Sequence, residues 1–211
     1  MEIVTDLQVP HAHERLRSLL DEGAKVLDVG CGYGVIGQFL SSGGIQVDGL
    51  EPDPERAAQA SGRLRHVVTG AAGDAAPDPP YDAVLFLDVI EHLHDVGSAL
   101  MWAAGLLRPA GVIYTSVPNA AHITARKKLA LGDWSYHDAG VFDRTHVHFY
   151  DIMTMGRIGA GVGLLETNRW YTYSVPRLWP LPRAWSCRRW PNLLADHALI
   201  AWRSPTPGPR P

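Results

Sequence analysis

Apolar positions along the chain follow two rhythms that take turns. Leu16, Leu19 and Leu20 recur at helical spacing between His13 and Leu20, "DEG" interrupts them, and "KVLDVG" continues as a short apolar run. That predicts helix, turn and strand. "VIGQFLSSGG" reads as a helix closed by glycines, "IQVDGLE" as a second strand ending on Glu51, and "DPERAAQASGRL" as a helix with Pro54 in its first turn. "HVVTG" is a third short strand and "AAGDAAPDPP" a loop. "YDAVLFLD" is a fourth strand, apolar enough for burial on both faces. "VGSALMWAAGLLRP" continues as a helix stopped by Pro109, and "GVIYTSVP" as a fifth strand. This alternation predicts an α/β fold: a parallel sheet with helices on both faces and a ligand beyond the carboxyl ends of the strands.

After Pro118 the alternation is lost. Residues 119–155 are mixed and rich in His, Arg and aromatics, which predicts an insertion covering the site. "LLETNRWYTYSV" and "HALIAWRS" supply two last strands, separated by the basic and aromatic "PRLWPLPRAWSCRRWPNLL". The expectation is one domain over residues 1–204 and a disordered Pro-rich tail over 205–211.

Composition narrows this picture. With 211 residues, 46% of them hydrophobic, the chain can bury one real core. A net charge of -3 gives no general attraction for nucleic acid or acidic lipid. Cys31 and Cys187 make no disulfide framework and match no zinc spacing, which fits a reducing compartment. The N-terminus lacks a basic start followed by an apolar run, and no apolar span is long enough for a membrane helix. The expected location is therefore the cytoplasm.

"VLDVGCGYG" sets Gly30, Gly32 and Gly34 straight after a strand and before a helix, where absent side chains let the main chain approach a ligand closely. Glu51 ends the next strand, where an acid can accept hydrogen bonds from both hydroxyls of a ribose. A nucleotide-type cofactor is implied. "GYGVIG" formally fits a dinucleotide fingerprint from Gly32, but the fingerprint glycine should leave the strand directly. That glycine is Gly30, from which the third fingerprint position is Val35.

With Asp28 two residues before Gly30, "VLDVGCGYG" and "VDGLE" resemble the cofactor motifs of the class I S-adenosylmethionine-dependent methyltransferases. The resemblance covers most of residues 13 to 118. It implies a Rossmann-like, mostly parallel seven-stranded sheet with an antiparallel last strand. It also implies S-adenosylmethionine held by the loop Gly30, Cys31, Gly32 and Gly34, organised by Asp28, with Glu51 and the adjoining Pro52 at the ribose and Leu87 and Asp88 alongside. Family members often carry an acid after a Gly beyond the third strand. Here Ala71 follows Gly70, and Asp74, after Gly73, is the candidate for that role.

The fourth strand runs into "LDVIEHLHD". On a helix starting near Asp88, the residues Asp88, Glu91, His92 and Asp95 would share one face, with Val89, Ile90, Leu93, Val96 and Leu100 opposite. The plain reading is the wet side of an amphipathic helix. The chemical reading draws on a second imidazole pair, His146 and His148, in the insertion expected over the same edge. Carboxylates and neutral imidazoles suit a divalent metal such as Mg, Mn, Fe or Zn.

The run resembles the E-x-x-E-H pattern of two metal-assisted groups, the small-RNA 3′-end methyltransferases and the ubiquinone-pathway O-methyltransferases. The resemblance implies the ligand set Asp88, Glu91, His92 and His148, with Asp88 in place of the first Glu. Without a metal, His92 or His146 would be the general base, His148 a further candidate, and Asp143 or Glu91 the orienting acid. Arg144 would then meet an anionic part of the acceptor.

Gly140 to Phe149 resembles the "G-x-x-D-R-T-H-x-R-F" segment of bacterial methyltransferases from glycan and secondary-metabolite pathways, with His148 where Arg is usual. Arg126, Lys127 and Lys128 fit either an anion contact or a solvated helix face. Trp134 and Tyr136 fit either a stacking platform or buried lid residues. Trp179, Trp185 and Trp190, among Arg177, Arg183, Arg188 and Arg189, read first as packing against the sheet. A homodimer interface or a peripheral membrane contact through 177–190 are the alternatives.

The expected function is methyl transfer to an oxygen of a small polar metabolite, natural product or glycan intermediate. The alternatives are 3′-terminal ribose methylation of RNA, which the overall acidity argues against, a non-catalytic cofactor-binding subunit, and an NAD-linked oxidoreductase.

Overall fold

The computed structural model describes residues 12–173 and 183–205. Strands β1 (Lys25–Val29), β2 (Gln46–Glu51), β3 (His66–Thr69), β4 (Tyr81–Leu87) and β5 (Leu107–Pro118) pair in parallel. Strand β7 (His197–Arg203) runs antiparallel between β5 and β6 (Leu165–Thr172). The order β3-β2-β1-β4-β5-β7-β6 makes one seven-stranded sheet, mostly parallel with an antiparallel last strand, the Rossmann-like α/β arrangement that the sequence predicts.

Successive side chains in a strand point to opposite faces, so the apolar runs feed two cores. Leu27, Val29, Val84 and Phe86 pack with α4 (Val96–Gly105), α6 (Ile152–Gly161) and Trp202. Val26, Ala83 and Leu85 face the other way, toward α1 (Ala12–Leu19), α2 (Val35–Ser41) and α3 (Pro54–Ala60). Asp28 shares that second face by alternation and is itself buried. Asp53 caps α3, accepting from the main chain of Glu55 and Arg56, with Pro54 in the first turn as expected.

The structure differs from the sequence reading at three places. Pro109 does not stop α4, which ends at Gly105; it lies inside β5, where the pairing with β4 slips between Tyr81 and Ala83. The insertion holds a helix, α5 (Ile123–Ala130), and residues 131–150 then run without regular structure to α6, which no periodicity announced. Gly156, Gly159 and Gly161 make α6 a poor helix by propensity. It forms because Asp151 caps it and because Gly159 lets it close on Trp202, whose ring a β-carbon there would overlap.

The third difference is in the segment before β7. Trp185 and Trp190, on and after α7 (Arg183–Arg189), meet edge to face at 5.3 Å and are 53% and 37% exposed, outside the buried core that the sequence reading assigns them to. Instead Cys187 and Leu194, the latter on α8 (Pro191–Leu194), form a small buried cluster. Arg177, Trp179 and residues 206–211 lie outside the described residues. No described helix is long and apolar enough to cross a membrane.

Candidate active site

At the carboxyl end of β1 the chain turns through Gly30, Gly32 and Gly34, with φ of 69°, 55° and 74°, a left-handed run that side chains resist. The Gly30 and Cys31 amides donate to the Leu50 carbonyl at 2.7 and 3.3 Å, and the Gly32 amide donates to Glu51 Oε2 at 2.8 Å. These N–H groups therefore stitch β1 to β2 and do not point at a ligand. The loop offers the bare Cα of Gly30, where a β-carbon would lie 2.7 Å from Val89 Cγ2.

A cavity of about 650 Å³ opens here, and Gly30, Glu51, Pro52 and Asp88 stand on its wall. Such a volume suits a nucleoside-sized ligand. Asp28, Cys31, Gly32, Gly34 and Leu87 lie outside that wall and support it from behind. Burial, with the charge of Glu51 added, raises Asp28 to about 7. Burial also pushes the Cys31 thiol up to about 12, aided by Asp28 and Glu51, so it packs as a neutral group. Asp74 turns into its own loop, accepting from the Ala71 amide at 2.7 Å, and Gly70, Ala71 and Ala72 face the cavity in its place.

Asp88 carries a φ of 54°, and the helix expected to start there does not form. A single 3₁₀ turn, Ile90–His92, is followed by extended Leu93, and Asp95 caps α4 by accepting from the Ser98 amide. The proposed polar face is thereby dismantled: Glu91 is only 1% exposed, Asp95 belongs to α4, and Val89 and Leu93 line the cavity. The predicted spacing required a regular helix, and the left-handed residue at its start prevents one.

Residues 141–148 dock on this turn through main-chain bonds from Val147 and His148 to the Glu91 carbonyl, at 3.0 and 3.1 Å. His146 and His92 come together with rings 4.8 Å apart. His146 Nδ1 lies 3.0 Å from the Val141 carbonyl and His92 Nδ1 3.2 Å from the Thr145 carbonyl. A carbonyl only accepts, so in both rings Nδ1 is the donor. Thr145 also approaches His92 Nδ1 through its hydroxyl at 3.1 Å and donates that hydroxyl to Asp143 at 2.6 Å. Those bonds from Thr145, with His146 and His92 nearby, hold the Asp143 carboxyl below its ordinary range.

Among the described residues neither carboxylate oxygen of Glu91 has a hydrogen-bond partner, and burial raises the group to about 8, with Asp88 and Asp143 adding to the effect. One donor atom each from Glu91, His92 and His146 lies within 4.8 Å of the others, and His146 Nε2 is 3.9 Å from Glu91 Oε1. Of the residues expected from sequence as ligands, Glu91 and His92 lie in this group, and Asp88 and His148 do not. His148 is turned to the His94 carbonyl and stacks on Tyr150, and Asp88 accepts from Ser116 at 2.6 Å. His146, not His148, lies beside Glu91 and His92. A second acid and histidine group, Asp48, His66 and Asp78, is already neutralised by Arg65 and Lys25.

Asp138, Asp143, Arg144 and Thr145 complete the cavity wall, with Arg144 paired to Asp138 at 2.7 Å. Trp134, 56% exposed, meets Phe142 and Phe149 edge to face, and Phe149 adjoins His146. Tyr136 is also exposed, while Arg126 and Lys128 donate to the carbonyls of Ala121 and Ser135 within the insertion.

Residues 5–165 match the family model described as a methyltransferase domain. A ubiquinone biosynthesis O-methyltransferase of Vibrio cholerae serotype O1 is 28% identical over 156 residues, 67% of this chain and 63% of that protein. The chain thus spans less than two thirds of that relative. A SAM-dependent methyltransferase from Archaeoglobus fulgidus superposes with a TM-score of 0.66 at 16% identity, over 92% of this chain and 95% of that one. The N-methyltransferase NodS from Bradyrhizobium japonicum, solved with S-adenosyl-L-homocysteine, gives 0.61 at 16% identity, over 92% and 84%. At such identities the structural likeness concerns the fold. By its family match and its fold, the chain belongs to the methyltransferase-domain family of class I S-adenosylmethionine-dependent enzymes.

Proposed function

We propose that the chain moves the methyl group of S-adenosylmethionine to an oxygen of a small acceptor, an aromatic hydroxyl of the natural-product type. One observation carries the reading: a single cavity has Gly30 and Glu51 on one wall and His92, Asp143 and Thr145 on the other. Each oxygen of Glu51 accepts one main-chain N–H, from Gly32 or Asp53, and keeps a further lone pair for a ribose hydroxyl. In the transfer the acceptor oxygen bonds to the methyl carbon as the carbon–sulfur bond breaks and its electron pair stays on sulfur. The protein supplies alignment, exclusion of water and a destination for the hydroxyl proton. The relatives named for ubiquinone biosynthesis O-methylation support this class of acceptor.

The orphaned carboxylate of Glu91 favours one addition. A buried carboxyl group without partners is costly, and with the two imidazoles beside it Glu91 forms a donor set suited to Zn, Mn or Fe in the 2+ state. Glu91, His92 and His146 would hold the ion, with Thr145 and Val141 fixing the rings. Such an ion would polarise the acceptor hydroxyl.

Calorimetry tests the cofactor half: S-adenosylhomocysteine binds and NAD does not, and the reverse result overturns the reading. Binding without turnover on any small hydroxyl acceptor would favour a regulatory subunit instead. Thermal melting tests the ion: Zn²⁺ or Mn²⁺ raises the Tm of the wild-type chain and not of Glu91→Gln.

A further inference from the structure

The cavity with Gly30 and His92 on its wall lies at the carboxyl ends of the parallel strands, and a second cavity, of about 450 Å³, lies at their amino ends. Its wall is made where β1, β4 and β5 begin and where the antiparallel β7 finishes, from residues 19–24, 82–83, 109–112, Tyr114 and Arg203. The two cavities have no wall residue in common. Tyr114 is 6% exposed and packs its ring on Trp170 at 6.5 Å, yet its hydroxyl makes no hydrogen bond among the described residues. A buried phenol usually finds a partner, because leaving water without one is costly.

Burial raises the Tyr114 hydroxyl above its ordinary range, with Arg203 opposing the rise and Asp21 adding to it, so a positive and a negative side chain both reach this group. The hydroxyl keeps its proton and can donate it. Arg203, Asp21 and Glu22 all stand on the same wall, and none of the three makes an ion pair among the described residues. Asp82, a further acid of the wall, differs: it accepts from Arg108 at 2.7 Å and from the Lys25 amide at 2.8 Å. Opposite charges that flank one hydroxyl without pairing to each other leave room between them for a ligand carrying both signs. Leu19, Leu20 and Val112 give the rest of the wall an apolar side.

We propose that this cavity is a second ligand site, separate from methyl transfer, and that it binds a free α-amino acid with an apolar side chain. Arg203 takes the carboxylate as a charge-assisted pair, and the Tyr114 hydroxyl donates to the same carboxylate. Asp21 and Glu22 receive the ammonium group. Leu19, Leu20 and Val112 cover the side chain, a few placed polar groups against an apolar wall being the usual make-up of a small-molecule site.

Calorimetric titration of the full chain with L-leucine tests the site, run with and without saturating S-adenosylhomocysteine. Two analogues serve as controls: 4-methylpentanoate, which lacks the ammonium, and 3-methylbutylamine, which lacks the carboxylate. Leucine binds in both conditions, and each analogue binds roughly tenfold more weakly or worse. Arg203→Gln and Tyr114→Phe, which keeps the ring, each weaken leucine roughly tenfold, while Tm and S-adenosylhomocysteine affinity stay near wild type. No heat with leucine, equal binding of all three compounds, or leucine binding that survives both substitutions overturns the assignment. Leucine binding that S-adenosylhomocysteine abolishes places the amino acid in the other cavity and overturns it as well. Each of these results leaves the methyltransferase reading standing, since that reading fails on the S-adenosylhomocysteine titration alone.

Discussion

The loops after β1 and β2, and the turn after β4 with residues 138–145, build opposite walls of one cavity by different physics. The first wall is main chain. Its shape follows from three left-handed glycines, amides tied to Leu50 and Glu51, and a bare Cα at Gly30, all within a short stretch of sequence. The second wall is side chain. Asp143, Thr145 and His146 meet His92 and Glu91 only because residues 141–148 are docked on the turn after β4. A wall of backbone tolerates almost no change at its glycines but demands little of the rest of the chain. A wall of side chains can be retuned residue by residue.

The largest effect that this contrast predicts is at Gly30. In Gly30→Ala the new β-carbon meets the stiff Val89 side chain at 2.7 Å on top of an unfavourable φ of 69°, whereas at Gly32 nothing lies within 4 Å of the corresponding atom. Gly30→Ala is expected to lose about 3 kcal/mol or more of S-adenosylhomocysteine binding, and Gly32→Ala only the roughly 1–2 kcal/mol of the left-handed backbone. Calorimetry on both variants measures the split. Equal losses would show that the Val89 contact does not shape the cavity.

Glu51→Gln comes next. The amide cannot accept at both ends, so either the Gly32 or the Asp53 N–H loses its partner along with one ribose acceptor. A loss of about 2 kcal/mol in binding, near thirtyfold, is expected from removing charge-assisted bonds of this kind. Unchanged affinity would place the ribose elsewhere.

The same division decides what the sequence reveals. Gly30, Glu51 and the alternation of strands and helices are legible because each is local: a spacing, a turn, an acid at a strand end. The Glu91 turn is misread because a helix was extrapolated through Asp88, whose left-handed φ depends on Ser116, in a different strand. The sequence singles out His148, before Phe149, as the later ligand, whereas His146 is the one that bonds the Val141 carbonyl and approaches Glu91. Helix α6 is hidden by its own glycines, which make sense only against the Trp202 ring.

Asp28 sharpens the comparison from the stability side. Its folded value of about 7 lies above the ordinary 3.8, so the native state binds a proton that the unfolded chain releases between those values. Stability from this group is full below about pH 4 and falls as pH rises toward 7, because the ionised acid is buried beside Glu51. Asp28→Asn removes that cost. The variant is expected to be more stable than wild type above pH 7, by about 2 kcal/mol, and equal to it near pH 4. Melting curves at the two pH values check the sign. A variant less stable at pH 8 would mean that the charge holds the loop together.

The smallest effect tests the side-chain wall. Thr145 touches both members of the pair it links, approaching His92 Nδ1 at 3.1 Å and donating to Asp143 at 2.6 Å. Thr145→Val keeps the shape and removes both contacts, but the Thr145 carbonyl still holds His92 Nδ1 and the Asp143 carboxylate still accepts from the main-chain N–H of residue 145. The ring therefore stays in place with less restraint, and a loss of about 1 kcal/mol is expected, seen as a severalfold weaker Zn²⁺ dependence of Tm, with S-adenosylhomocysteine affinity unchanged. An equal loss at both ligands would mean that the two walls are mechanically one. A loss confined to the ion would show that the acceptor side can be altered without disturbing the cofactor side, as expected where one wall rests on backbone and the other on converging side chains.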